Sequence, residues 1–422
     1  MRFVADLHIH SYLSRACSRE LRPERLYAWC QLKGIGVLGT GDFTHPKWLE
    51  ELREKLVPAE PGLYRLKPAL AKAADAEIPR SCKAPVRFLL EAEISCIYKK
   101  GGRVRKVHNL VYVPSLQDAA KLSARLEKIG NIRSDGRPIL GLDSKDLFSI
   151  VLECCDEAVL VPAHAWTPHF SVFGSESGFD SLEECFEDLT PRIFALETGL
   201  SSDPPMNWRA SALDRLALIS NSDAHSPEKL GREANLFDTE PSFAGIFGAV
   251  RSRDPKRFLG TLEFFPEEGK YHVDGHRVCK TRLLPAETLE RGGLCPVCGK
   301  PVTVGVLHRV EKLADRKEGF RPPHAAPFEH LVPLKEVLSE IFDCGAATAK
   351  VDREYRRLLS AFGPELKILR EAPLDILEEP LARALDRMRR GQVRVEAGYD
   401  GEYGKVSLRE ETPLPVDQLP LL

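Results

Sequence analysis

The stretch FVADLHIHS, residues 3–11, decides the fold: an apolar, strand-like run ends in two histidines spaced by one residue. Side chains alternate faces along a strand, so Asp6, His8 and His10 share one face while Leu7 and Ile9 take the other. Three polar groups converging on one strand end read either as a hydrogen-bonded histidine pair or as part of a metal site. The endings of the other strands decide between the two.

Six further runs repeat the theme: IGVLGTGDFTHP (35–46), VRFLLEAEIS (86–95), KVHNLVYVP (106–114), AVLVPAHAWTP (158–168), IFALETGLS (193–201) and LALISNSDAHSP (216–227). Each carries His, Asp or Glu near its C-terminal end or on its inward side, and segments such as PERLYAWCQLKG and HPKWLEELREKLV between them have helical spacing. Seven strands alternating with helices read as an α/β chain, a βα barrel with its chemistry at the carboxyl ends of the strands. The candidate ligands there are His8, His10, Asp42, His45, Glu93, His108, His164, Glu197, Asp223 and His225. The segment EISCIYKK-GG-RVRKVHNLVYV reads as a hairpin turning at Gly101-Gly102; pairing Lys100 with Arg103 sets Ser95 opposite His108, with Glu93 a diagonal neighbour on the same face.

This mixture of imidazole and carboxylate without thiolate suits Zn²⁺, Mn²⁺ or Fe²⁺ over Ca²⁺ or a soft copper site. Ten ligands exceed the needs of one ion. Two or three divalent cations, drawn from Zn, Mn or Mg, with Glu93 as a bridging carboxylate would use them, and clustered cations are the usual apparatus of phosphoester hydrolysis. Asp223, His225, His8 and Glu93 are the residues on which catalysis is expected to rest. Asp42 and Glu197 have a second reading as carboxylates that orient an imidazole, and Asp6 is a weaker case of the same.

A second motif stands apart. His276-x2-Cys279-x15-Cys295-x2-Cys298 has structural-zinc spacing, with its second pair on a CPVCGK knuckle, and one enclosed structural Zn²⁺ is expected there; His272 is the rival to His276. The other cysteines of the eleven, Cys154 and Cys155 among them, read as reduced, packed thiols.

The 422 residues exceed the usual size of a single core. The expected divisions are a barrel over 1–265, a zinc-binding module over 266–320, a helical domain over 321–410 and a flexible tail over 411–422. A hydrophobic fraction of 43% with 29% charged residues is that of a soluble protein, and with no long apolar run or signal-peptide pattern the expectation is a cytoplasmic monomer, without membrane contact and nucleoid-associated when bound to DNA. The net charge of −2 means that any nucleic acid is held by local basic patches. Such patches lie at Lys99, Lys100, Arg103, Arg105 and Lys106, and again at Arg353, Arg356, Arg357, Arg387, Arg389, Arg390 and Arg394.

The stations DLHIHS, GTGDFTHP, H-A-W and NSDAHS resemble the polymerase-and-histidinol-phosphatase (PHP) metallophosphoesterases, which implies a distorted seven-stranded barrel and a trinuclear centre. The second station of that family reads T-D-H, whereas here it is Gly41-Asp42-Phe43-Thr44-His45, which leaves Asp42 and His45 as alternatives. Domain order together with GREANLF, CPVCGK and GYDGEYG is similar to the endonuclease Q family over nearly the whole chain. That resemblance implies incision of DNA 5′ to hypoxanthine, uracil and xanthine, and at abasic sites. A small-molecule phosphatase and a non-catalytic DNA-binding scaffold are the alternative readings. A damaged base must be extruded to be read. Trp166, Phe170 and Phe173 of AHAWTPHFSVFG are therefore candidates for a pocket wall or wedge, Ser201 and Asn207 for substrate contact, and Asn221 and Ser222 for base donors. The terminal Gln418–Leu422, QLPLL, is similar to peptides that bind bacterial sliding clamps.

Overall fold

A computed structural model describes residues 1–409; the expected tail and the clamp-like Gln418–Leu422 lie outside the described residues. The seven expected strands are present: β1 (Arg2–Asp6), β2 (Val37–Gly39), β3 (Arg87–Lys100), β4 (Arg103–Val113), β5 (Val159–Pro162), β6 (Ala195–Glu197) and β7 (Ala217–Ile219). β1 pairs in parallel with β2, and β2 with β3; β4 then runs antiparallel to both β3 and β5, and β6 pairs in parallel with β7. The β3–β4 register is the expected one, Lys100 opposite Arg103 and Ser95 opposite His108. The tight Gly-Gly turn and the buried face favour this register, because a one-residue slip would turn Glu93 and His108 to opposite faces.

The ring closes through chain beyond the strand ends. Ala165 donates its N–H to the Glu197 carbonyl at 3.0 Å, and His10 to that of Ala224 at 3.2 Å. The edge of β1 that a regular barrel would give to β7 is taken by β8 (Ala234–Asp238), antiparallel to β1. Asn235 of β8 stitches the gap: its Nδ2 donates to the Ser220 carbonyl, 2.7 Å, and to Asn221 Oδ1, 2.9 Å. β9 (Phe258–Glu263) pairs antiparallel with β8, and β10 (Phe328–His330) parallel with β9. The segment expected to be helical thus lends a strand to the main sheet, because the edge of β9 offers unpaired backbone groups.

The remaining C-terminal chain is largely helical, over Leu334–Phe342, Ala349–Phe362, Glu365–Glu371 and Glu379–Arg389. It is fastened to the barrel by a buried ion pair, Lys33 Nζ to Glu365 Oε2 at 2.7 Å, and Tyr355 donates to the same oxygen at 2.8 Å. A buried pair of this kind has value for orientation, since each partner left alone would be a desolvated charge. All eleven cysteines are unpaired, and among the described residues no helix is long and apolar enough to cross a membrane.

Candidate metal centre

The candidate ligands meet at the carboxyl ends of the strands, in two groups. His8, His10 and Asp223 form one, and Glu93, His108 and His164 the other; within each, the ligating atoms lie within 4.8 Å of one another. In the second group Glu93 Oε1 is 2.6 Å from His108 Nδ1 and 3.0 Å from His164 Nε2, with the two nitrogens 3.2 Å apart. In the first, Asp223 Oδ1 is 3.0 Å from His10 Nε2 and 3.6 Å from His8 Nε2. Ligands around a tetrahedral zinc stand about 3.3 Å apart, so both groups have the spacing of a coordination shell. Glu93 joins them: its second oxygen, Oε2, faces His10 Nε2 at 3.4 Å and His8 Nε2 at 3.8 Å.

A divalent cation fits this donor set on a specific observation. His8 Nε2 is buried and has no hydrogen-bond partner, although two carboxylates face it. An unsatisfied buried imidazole nitrogen is costly unless something electropositive completes it. The electrostatics agree. Burial alone lowers His10, yet hydrogen bonds to Asp223 and Asp42 overcome it and push the group up to about 10. Burial would raise Glu93, but the charges of His108 and Arg137 hold it well below the usual carboxylate range. A pool of negative potential this deep favours a cation.

Asp42 and Glu197 stand behind the histidines, on the Nδ1 side of each ring. Asp42 Oδ1 accepts from His10 Nδ1 at 3.2 Å, while Oδ2 accepts from Ser11 N, Ser11 Oγ and Ser14 Oγ at 2.7, 2.6 and 2.8 Å. Glu197 accepts from His8 Nδ1 at 3.1 Å, His164 N at 2.8 Å and Asn221 Nδ2 at 2.8 Å. Each carboxylate fixes its histidine with the proton on Nδ1, which frees Nε2 for a metal. His45 belongs elsewhere: it caps the helix Pro46–Lys55, its Nδ1 accepting from Lys47 N at 3.2 Å and its Nε2 donating to the Arg133 carbonyl at 3.1 Å. With both ring nitrogens spent on backbone, it has no lone pair left for a metal. His225 stands at the rim, its ring 4.7 Å from that of His10 and its Nδ1 donating to the Asp223 carbonyl at 2.9 Å. Asp6 is fully buried, accepting from Ser222 N and Gly231 N.

Three of these residues hold left-handed backbone conformations without being glycine: Asp42 at φ 49°, His164 at 27° and Asp223 at 46°. Strain of this kind persists only where the surroundings enforce it, and it gathers at functional sites.

The expected base pocket is mostly core. Trp166 is 1% exposed, packs at 4.9 Å against Phe173 and donates its indole N–H to Asn207 Oδ1 at 2.7 Å. Asn221 is consumed by Leu7 N, Asn235 and Glu197, and the Ser222 side chain is fully buried. Trp166, Phe173, Asn207, Asn221 and Ser222 are therefore part of the packed surroundings of the candidate ligands. The proline and glycine punctuation of this loop marked a turn, but the turn folds inward. Trp166→Ala is expected to lower stability by about 3–5 kcal/mol; a melting temperature unchanged from wild type would return Trp166 to the pocket. Phe170 remains beside the centre, its ring 4.8 Å from His108 and Lys106 Nζ 5.3 Å above it, and Ser201 is half-buried on the loop after β6.

The residue that sequence reasoning missed is Arg137, whose Nη1 donates to Glu93 Oε2 at 2.9 Å. It lies in RSDGRP, a turn signal between helix and strand with nothing to tie it to the third strand 40 positions earlier. Many of the basic residues singled out for DNA are paired within the fold. Lys100 meets Asp143 and Glu187, Arg105 the Gly178 carbonyl, Arg356 Asp352, Arg357 Glu354 and Glu378, and Arg389 three helix-end carbonyls. Lys99 and Arg103 are exposed on the hairpin.

Apart from the barrel, His276, Cys279, Cys295 and Cys298 converge as their spacing predicts, within 4.8 Å of one another, and His276 takes the place that His272 rivalled. Gly299 follows the knuckle at φ +70°, a conformation that glycine adopts at no steric cost. The apolar cluster beneath is only Leu283, Cys295 and Val302.

A family profile described as the MJ0043 C-terminal domain matches residues 333–392. Two curated relatives are both uncharacterised proteins. MJ0043 of Methanocaldococcus jannaschii is 31% identical over 64% of this chain, which spans about a third of that relative's length (35%). YqxK of Bacillus subtilis is 28% identical over 96% of this chain and 99% of its own. Two solved structures align over 99% of the chain at 29% identity. One is the lesion-specific endonuclease PfuEndoQ from Pyrococcus furiosus, with TM-score 0.84 and 98% of that chain covered. The other is an Endonuclease Q complex with a 27-mer duplex carrying an abasic lesion at the active site, with TM-score 0.83 and all of that chain covered. Barrel, knuckle and helical region thus align in one superposition with these endonuclease Q structures, and the matched C-terminal profile falls within the helical region.

Proposed function

We propose that this protein is a lesion-specific DNA endonuclease that hydrolyses the phosphodiester 5′ to deaminated bases (hypoxanthine, uracil, xanthine) and at abasic sites. The observation that carries the proposal is the convergence of two His/carboxylate groups on the shared Glu93, in a chain that aligns end to end with structures of that enzyme class. Divalent cations, when bound, would supply Lewis-acid polarisation of the phosphoryl group and a lowered pKa for an attacking water. The chain does the positioning. His8, His10 and Asp223 would hold one cation and Glu93, His108 and His164 the other, while Glu197 and Asp42 keep His8 and His10 presenting Nε2. His225, half-exposed at the rim, is placed to pass a proton to the leaving oxygen. A structural Zn²⁺ at His276, Cys279, Cys295 and Cys298 belongs to the same proposal. A small-molecule phosphatase would have no use for the knuckle and helices that align together with the barrel.

The test is to incubate purified protein and Mn²⁺, Mg²⁺ or Zn²⁺ with labelled duplexes bearing one hypoxanthine, uracil, xanthine or abasic site, and to map the cut. Incision on the 5′ side of the lesion is expected, absent with chelator. Equal cutting of undamaged duplex would remove the specificity, and turnover of phosphomonoesters alone would remove the nuclease.

A further inference from the structure

Asp42, expected as a ligand, has no room for a cation on its outer oxygen. Oδ2 already accepts three hydrogen bonds, from Ser11 N, Ser11 Oγ and Ser14 Oγ. The loop 131–138 is also pressed onto it: Gly136 donates its N–H to the Leu13 carbonyl at 3.1 Å, and a Cβ at position 136 would lie 2.2 Å from Asp42 Oδ2. The next residue of that loop is Arg137. It brings a fixed positive charge to the flank of the centre, 2.9 Å from the Glu93 oxygen that faces His8 and His10. One side-chain hydrogen bond, to Glu93, is all that its guanidinium makes among the described residues, and the side chain is 27% exposed. Nε and Nη2 are left without a protein acceptor and open to solvent.

We infer that Arg137 stands in for a third divalent cation and grips a non-bridging oxygen of the phosphate that the centre acts on, so that the working centre is two cations and a guanidinium. A guanidinium suits the place: its charge is permanent, and its planar fork matches a phosphate with the donors that Glu93 leaves over. Glu93 holds the fork from behind, and Gly136 lets the loop come close enough to deliver it. The identity of the phosphate as DNA rests on the proposed function; the grip on a phosphate does not.

The full-length protein, loaded with Mn²⁺, is titrated calorimetrically with inorganic phosphate, and its metal content is measured after gel filtration. Wild type is expected to carry two Mn²⁺ besides the zinc of the knuckle. Arg137→Ala is expected to keep both, to lose at least about tenfold in phosphate affinity, and to fall on the order of 10²- to 10³-fold in single-turnover cleavage of an abasic duplex. Arg137→Lys and added guanidinium ion should each restore part of the loss. Gly136→Ala, whose methyl has no space, should weaken phosphate binding with Arg137 intact. A third Mn²⁺ on wild type, unchanged phosphate affinity in Arg137→Ala, or loss of Mn²⁺ from that variant would each overturn the inference; the last would make Arg137 a brace for Glu93 alone. Arg137-dependent phosphate binding in a protein that cuts no lesion DNA would uphold the inference and defeat the proposed function.

Discussion

Glu93→Gln is expected to cut single-turnover cleavage of an abasic duplex by on the order of 10³-fold or more while the protein stays folded. The side chain is fully buried. One oxygen touches His108 and His164, and the other Arg137, with His10 and His8 just beyond. Glutamine keeps the shape but removes the charge that both metal groups and Arg137 share, so each group loses an anionic donor at once. Metal analysis of the same variant should show the barrel cations depleted and the knuckle zinc retained. Cleavage within about tenfold of wild type, with full metal content, would remove Glu93 from the centre.

Cys295→Ser has the second large effect, on stability. The module's apolar core is three residues, Leu283, Cys295 and Val302, far short of what a segment of that length needs to order its chain. Structural zinc contributes about 10–16 kcal/mol to such modules, so the ion is the main fastening there. The serine variant is expected to lose its one knuckle zinc and to become protease-sensitive between residues 276 and 298, the region spanned by the four ligands, while the barrel keeps its own unfolding transition. Wild type treated with a strong chelator should behave alike. Equal protease resistance and melting with and without chelator would sink the assignment.

Much of the site was legible in the chain because strand alternation is local. His8 and His10 leave one strand on one face whatever surrounds them, and a Gly-Gly turn sets the β3–β4 register, which makes Glu93 and His108 diagonal neighbours on one face. The zinc knuckle was legible for the same reason, since its spacing is its geometry. One thing stayed hidden. The aromatic loop around Trp166 has turn punctuation whether it projects outward or folds inward, and only the packing of Trp166 on Phe173 chose.

The sequence by itself determined which residue types arrive at the mouth of the barrel, because the pleat and the tight turn act over a few residues. Only the tertiary structure decided their division of labour. Asp42 and Glu197 became props, because the nitrogen each one meets is the Nδ1 of a histidine from another strand. His45 became a helix cap, because its ring reached backbone first, and Arg137 became part of the centre, because a loop about 40 residues downstream of Glu93 was laid across it. Those are contacts at a separation that no local pattern encodes.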